Sequence, residues 1–221
     1  MNENEISELA RRSQKERIDK LVFLNRYAKK GQILFTGSSL MEQFPVDELL
    51  INCGLNIVIY NRGVSGFTTT DMLENMTEMV FAVEPSKIFI NIGSNDIGAV
   101  NYTLEHLLEN YEKILIQIKT KLPHTKIYVM AYYPVNEVDK LSDNETGGLT
   151  FKNRNNETIR KVNLEIEQMA KQLCCRFINV NSGLTDCQGR LKKEYTIEGI
   201  HMYANAYHKI LQNMLPYIVK Y

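Results

Sequence analysis

The sequence predicts an α/β domain with about five parallel strands and helices on both faces. Two observations carry that expectation. Five short, continuous apolar runs rich in β-formers recur along the chain, at Ile33–Thr36, Ile57–Asn61, Lys87–Ile92, Lys126–Ala131 and Arg176–Val180. Strands covered on both faces read this way, because no position faces water. Segments with helical period separate these runs, and such alternation is the signature of parallel sheets with crossover helices. A length of 221 residues suits one domain of this kind.

The elements follow in chain order. Residues 1–30 read as a charged helical extension, with Ile6, Leu9, Ala10, Ile18, Leu21, Val22 and Leu24 as its apolar positions; residues 31–221 form the domain proper. After the second strand, Met72, Leu73, Met76, Met79 and Val80 share one helical face, and Asp71 offers a start signal. Thr103 stands before a stripe of Leu104, Leu107, Leu108, Tyr111, Ile114, Leu115 and Ile118. Ile159, Val162, Ile166, Met169, Ala170 and Leu173 form a third stripe, and Ala206, Ile210, Leu211, Met214 and Ile218 a fourth. The long irregular stretch from Pro134 to about Thr150 is polar and reads as a flap over the rim.

Composition removes several functions. Lys plus Arg (26) equals Asp plus Glu (26), so no global positive field gathers nucleic acid or anionic lipid. Cys53, Cys174, Cys175 and Cys187 form no CxxC pair, which gives a zinc site little support. No segment approaches the roughly 20 apolar residues of a membrane span. The N-terminus lacks the apolar stretch of a secretory leader. A cytoplasmic chain with reduced thiols is the expectation.

Ligands of open parallel sheets bind beyond the carboxyl ends of the strands. There the chain carries Gly37-Ser38-Ser39-Leu40, then Gly63-Val64-Ser65-Gly66, then Gly93-Ser94-Asn95-Asp96, and near its end Glu198-Gly199-Ile200-His201. Each has an ordinary alternative: a helix cap, a turn glycine, an asparagine turn, a surface histidine. Together they supply what ester hydrolysis needs. Ser39 offers a hydroxyl and His201 a base to activate it. The Ser39 N–H, the Gly66 N–H and the Asn95 side-chain amide offer three donors to a developing oxyanion. Glu198, three residues before His201, is the candidate acid to orient the imidazole.

The order Ser, Gly, Asn, then acid-x-x-His resembles the four blocks of the SGNH (GDSL-like) hydrolases. It looks closest to the bacterial branch similar to platelet-activating-factor acetylhydrolase subunits. The likeness spans about residues 31–217, and NRGVSG, NIGSNDIG and KKEYTIEGIH are its most family-like stretches. It implies a flavodoxin-like three-layer α/β/α sandwich. It also implies Ser39 as nucleophile, His201 as base, and Ser39, Gly66 and Asn95 as oxyanion hole. No metal or organic cofactor is implied, and the expected ligand is a small, short-acyl ester of a lipid or carbohydrate.

Two positions depart from the family pattern. Ser38 replaces the usual aspartate, which leaves Ser38 as a second candidate nucleophile, although the Gly-x-Ser register favours Ser39. Glu198 replaces another aspartate, and its extra methylene changes the reach by about 1.5 Å. These departures motivate the alternative of a non-catalytic carbohydrate- or lipid-binding descendant of the fold. Met41 stands where an α/β-hydrolase nucleophile elbow has its second glycine, and neither a G-x-G-x-x-G nor a P-loop motif is present. Whether the N-terminal helix packs on the domain or pairs in a homo-oligomer stays open at this level.

Overall fold

The computed structural model describes residues 3–137 and 151–219. Its sheet is built from β1 (Ile33–Gly37), β2 (Ile59–Gly63), β3 (Lys87–Asn91), β4 (Lys126–Met130) and β5 (Arg176–Ile178), in the order β2-β1-β3-β4-β5. All pairings are parallel. This is a three-layer α/β/α sandwich, as the alternation of elements predicts.

The side-chain period of two sorts each strand between two cores. Leu34, Ile88, Ile90 and Val129 face one way, under α1 (Glu3–Asn25), α4 (Thr69–Glu74), α5 (Met76–Met79), α7 (Leu104–Lys121) and α8 (Asn156–Gln172). Ile33, Phe35, Phe89 and Met130 face the other way, against α2 (Ser39–Glu42), α3 (Val46–Asn52) and α9 (Ala204–Val219). The stripes predicted on α7, α8 and α9 are the faces that close these cores. Among the described side chains of α1 only Leu21 is fully buried, while Ile6 and Leu9 are exposed.

Several element boundaries differ from the sequence expectation. β2 starts two residues late, at Ile59, because Ile59 pairs with Ile33 and the chain before Ile33 is a turn that offers no strand to Ile57 and Val58. β5 ends at Ile178 rather than Val180. The helix expected over Met72–Val80 is broken at Asn75, whose side chain donates to the Asp71 carbonyl at 2.8 Å. An asparagine that bonds its own backbone competes with the helix ladder. The start of α4 is a capping box in which Thr68 is the cap and Asp71 its third residue. Thr103 caps α7 as expected.

Of the flap expected over Pro134–Thr150, residues 138–150 lie outside the described residues. Its first part is held firmly. Val135 exchanges hydrogen bonds with the Asn156 side chain, and the Asn136 N–H donates to the Gly199 carbonyl at 2.8 Å.

The Tyr111 ring is fully buried on α7, and its hydroxyl has no hydrogen-bond partner among the described residues. A buried hydroxyl without a partner costs about 1–3 kcal/mol. Tyr111→Phe is therefore expected to keep or raise stability in urea denaturation. A loss of about 1 kcal/mol, the worth of an ordinary hydrogen bond, would mean that the hydroxyl is satisfied.

Candidate active site

The register of β1, β2 and β3 sets the site. Gly37, Gly63 and Asn91 are paired side by side at the ends of β1, β2 and β3. The loops that leave them therefore start from one line along the rim. A Cβ at Gly63 would lie 2.3 Å from the backbone nitrogen of Glu42, so only glycine lets α2 rest on the end of β2. Asn61 secures that contact, donating to the Met41 carbonyl at 2.6 Å and accepting from the Gly63 N–H at 2.9 Å.

Ser39 opens α2 and is 8% exposed, with Ser38 before it as an extended cap residue. The Ser39 Oγ lies 3.0 Å from His201 Nε2. Ser38 is fully buried and its hydroxyl has no partner among the described residues, so geometry separates the two serines in favour of Ser39.

His201 reaches the rim on a tight return loop. The Thr196 hydroxyl donates to the His201 carbonyl at 2.9 Å and accepts from the Gly199 N–H at 2.8 Å. Glu198 Oε1 lies 2.5 Å from His201 Nδ1 and also accepts the His201 backbone N–H at 3.0 Å. The glutamate's extra methylene thus does not put it out of reach. Burial works to raise the Glu198 pKa, but hydrogen bonds from the His201 ring and backbone and the imidazole's charge outweigh it, so the net shift is downward. An ionised carboxylate on Nδ1 keeps the ring proton there and leaves Nε2 free to accept from Ser39.

The donor side is assembled from two further loops. Gly66 has a φ of +78°, which favours glycine, and a Cβ there would meet the Gln14 amide of α1 at 2.7 Å. Gln14 donates to the Ser65 carbonyl at 3.2 Å. Glu42 accepts the Ser65 N–H at 2.6 Å and pairs with Arg17, whose Nε also donates to the Gly63 carbonyl. The Gly66 loop is thereby tied to both α1 and α2. Asn95 sits on α6 (Ser94–Gly98) and donates one amide hydrogen to the Phe67 carbonyl at 2.9 Å. Its Oδ1 accepts from Arg154 at 3.1 Å. Next to it, Asp96 is buried and accepts from the Thr69 N–H and hydroxyl, joining α6 to α4.

His201 therefore links Ser39 on one ring nitrogen to Glu198 on the other, with Gly66 and Asn95 on the adjoining loops. Such an arrangement can activate a hydroxyl and direct N–H groups at a developing oxyanion. Sequence reading missed the supports: Asn61, Glu42, Thr196 and Arg154. Only Glu42 carried a signal, as the acidic residue in the first turn after the serine. Among the described residues no group of three His, Cys, Asp or Glu side chains could hold a metal ion. No helix there is long and apolar enough to cross a membrane.

The pattern of the GDSL-like lipase/acylhydrolase family matches residues 47–209. The chain belongs to that family. A structure from Streptococcus pneumonia, provisionally described as a platelet activating factor, is 30% identical, with a TM-score of 0.87 and 97% coverage of both chains. A GDSL-like lipase from Bacteroides thetaiotaomicron superposes with a TM-score of 0.74 at 19% identity, covering 91% of this chain and 96% of the other. An acetylxylan esterase from Geobacillus stearothermophilus has the same fold, with a TM-score of 0.64 at 17% identity and coverage of 88% and 96%. In sequence, the chain is 28% identical over 198 residues to an N-acylneuraminate cytidylyltransferase from Escherichia coli. That match takes in 89% of this chain but only 42% of the relative, so the chain spans less than half its length.

The downward shift of Glu198 has a consequence for stability. A carboxyl with a lower pKa in the folded state adds stability that is present above its unfolded pKa and lost as pH falls through the folded one. Glu198→Gln is expected to flatten the acid limb of the stability–pH curve, below about pH 5, in denaturant titrations. An unchanged limb would contradict the shift.

Proposed function

We propose that this protein is a serine esterase that cleaves small, short-acyl esters through an acyl-enzyme. The observation that carries the reading is the 3.0 Å approach of Ser39 Oγ to His201 Nε2, with Glu198 on the opposite ring nitrogen. His201 takes the Ser39 proton as Oγ attacks the carbonyl carbon, and the imidazolium returns that proton to the departing alcohol. Water then repeats the sequence and frees the carboxylic acid. The Ser39 N–H, the Gly66 N–H and the second Asn95 amide hydrogen receive the negative charge on the carbonyl oxygen.

An acetyl-type ester of a carbohydrate or lipid is the substrate class we favour. The name of the acetylxylan esterase and the description of the Streptococcus protein support it by analogy. The charge balance and the reduced thiols suit a cytoplasmic setting.

Turnover of a chromogenic acetate ester tests the proposal. Wild-type protein should hydrolyse it, and Ser39→Ala should fall to the buffer rate; equal rates for the two would reject a serine mechanism. Asn95→Ala should lower kcat by about 10²–10³, the worth of one oxyanion donor. Glu198→Asp should also lower kcat, since it withdraws the carboxylate by about 1.5 Å from a contact already made. Glu198→Ala, which removes the carboxylate, should lower kcat further, and full activity in that second variant would leave Glu198 outside the mechanism.

A further inference from the structure

Arg154 stands just before the Asn155 cap of α8 and is only 8% exposed. A buried cation is costly unless paired. Yet among the described residues Arg154 makes no ion pair. Among the same residues its Nε has no partner, and its one hydrogen bond runs from Nη2 to Asn95 Oδ1 at 3.1 Å. Space for the guanidinium exists because residue 98 has no side chain: a Cβ at Gly98 would come within 2.3 Å of Nη2. Burial lowers the Arg154 pKa to about 10, against the pull of Glu198 and Asp96, so the group is still a cation at neutral pH. The one hydrogen bond that this costly placement makes among the described residues is to the Asn95 oxygen.

A primary amide can rotate by 180° and exchange its acceptor for its donors. At Asn95 both neighbours forbid the exchange. Arg154 can only donate, and the Phe67 carbonyl on the amide's other side can only accept. With Oδ1 on the cation and one N–H on the carbonyl, a single N–H is left over.

We propose that Arg154 is a positioning residue that locks the Asn95 carboxamide with its remaining N–H directed at the oxyanion. The charge also polarises the amide and makes that N–H a stronger donor. The proposal rests on the reading of Asn95 as an oxyanion donor. Gly98 belongs to the same device, since any larger residue there displaces the guanidinium.

The test combines kinetics with a measurement that needs no turnover. Arg154→Met should lower kcat on the acetate ester by about 10–100-fold, the worth of a charge-assisted contact, with KM little changed. Arg154→Lys should recover part of the loss, and Gly98→Ala should reproduce it. In an Asn95→Ala background, Arg154→Met should cost nothing more, because the group it acts through is gone. An undiminished further loss in that background, or an unchanged kcat in the single variant, would overturn the proposal. The ¹⁵N-resolved side-chain amide of Asn95 supplies the independent readout. Its two hydrogens should be distinct and slowly exchanging in the wild-type protein, and shifted or averaged in Arg154→Met. An Asn95 amide that ignores the substitution would sink the idea even if the esterase reading stands. The expected shift in a wild-type protein that cleaves no ester would instead fault that reading alone.

Discussion

The line-up of Gly37, Gly63 and Asn91 at the ends of three adjacent parallel strands is the constraint from which the site follows. Parallel pairing sends every strand towards the same rim, so each following loop begins within one strand spacing, about 4.8 Å, of its neighbour. Serine, glycine and asparagine thus arrive together without any contact in sequence. Small residues at the rim are the condition for this. The rim is crowded by backbone rather than by side chains, which is why α2 can lie directly against β2.

His201 comes from outside that line, carried by the return loop before α9. Its placement relies on hydrogen bonds within the loop: Thr196 ties residues 199 and 201, and Asn136 holds the Gly199 carbonyl from the end of β4. Glu198 serves twice, since one oxygen engages both the ring and the backbone of His201. The imidazole is oriented by the same group that fixes the turn beneath it. Rotation of the ring therefore has to break structure as well as a single contact.

The layers, and the placing of Ser39, Gly66, Asn95 and His201 at the sheet rim, were legible because they follow from local rules. Continuous apolar runs mark doubly covered strands, helical stripes mark the faces that cover them, and small polar residues cluster after strand ends. What was not legible depends on partners distant in sequence. Nothing near Arg154 shows that it would be buried against Gly98, 56 positions earlier, or that its hydrogen bond would reach Asn95. The late start of β2 depends on where β1 begins, and the break at Asn75 on a side chain choosing its own helix backbone. Between Ser38 and Ser39 the sequence offered only a motif register, whereas burial and the distance to His201 separate them.

The first helix looks expendable by composition, being charged, largely exposed and set before the first strand. Its side chains nonetheless grip the far side of the second rim loop, through Gln14 on Ser65 and through Arg17 on Gly63 and Glu42. A shortened chain beginning at residue 31 would retain its reactive trio intact, while the turn bearing Gly66 would lose the buttress behind it. On the proposed reading of Gly66 as an oxyanion donor, trimming the amino-terminal segment would take away that buttress together with the core contact of Leu21.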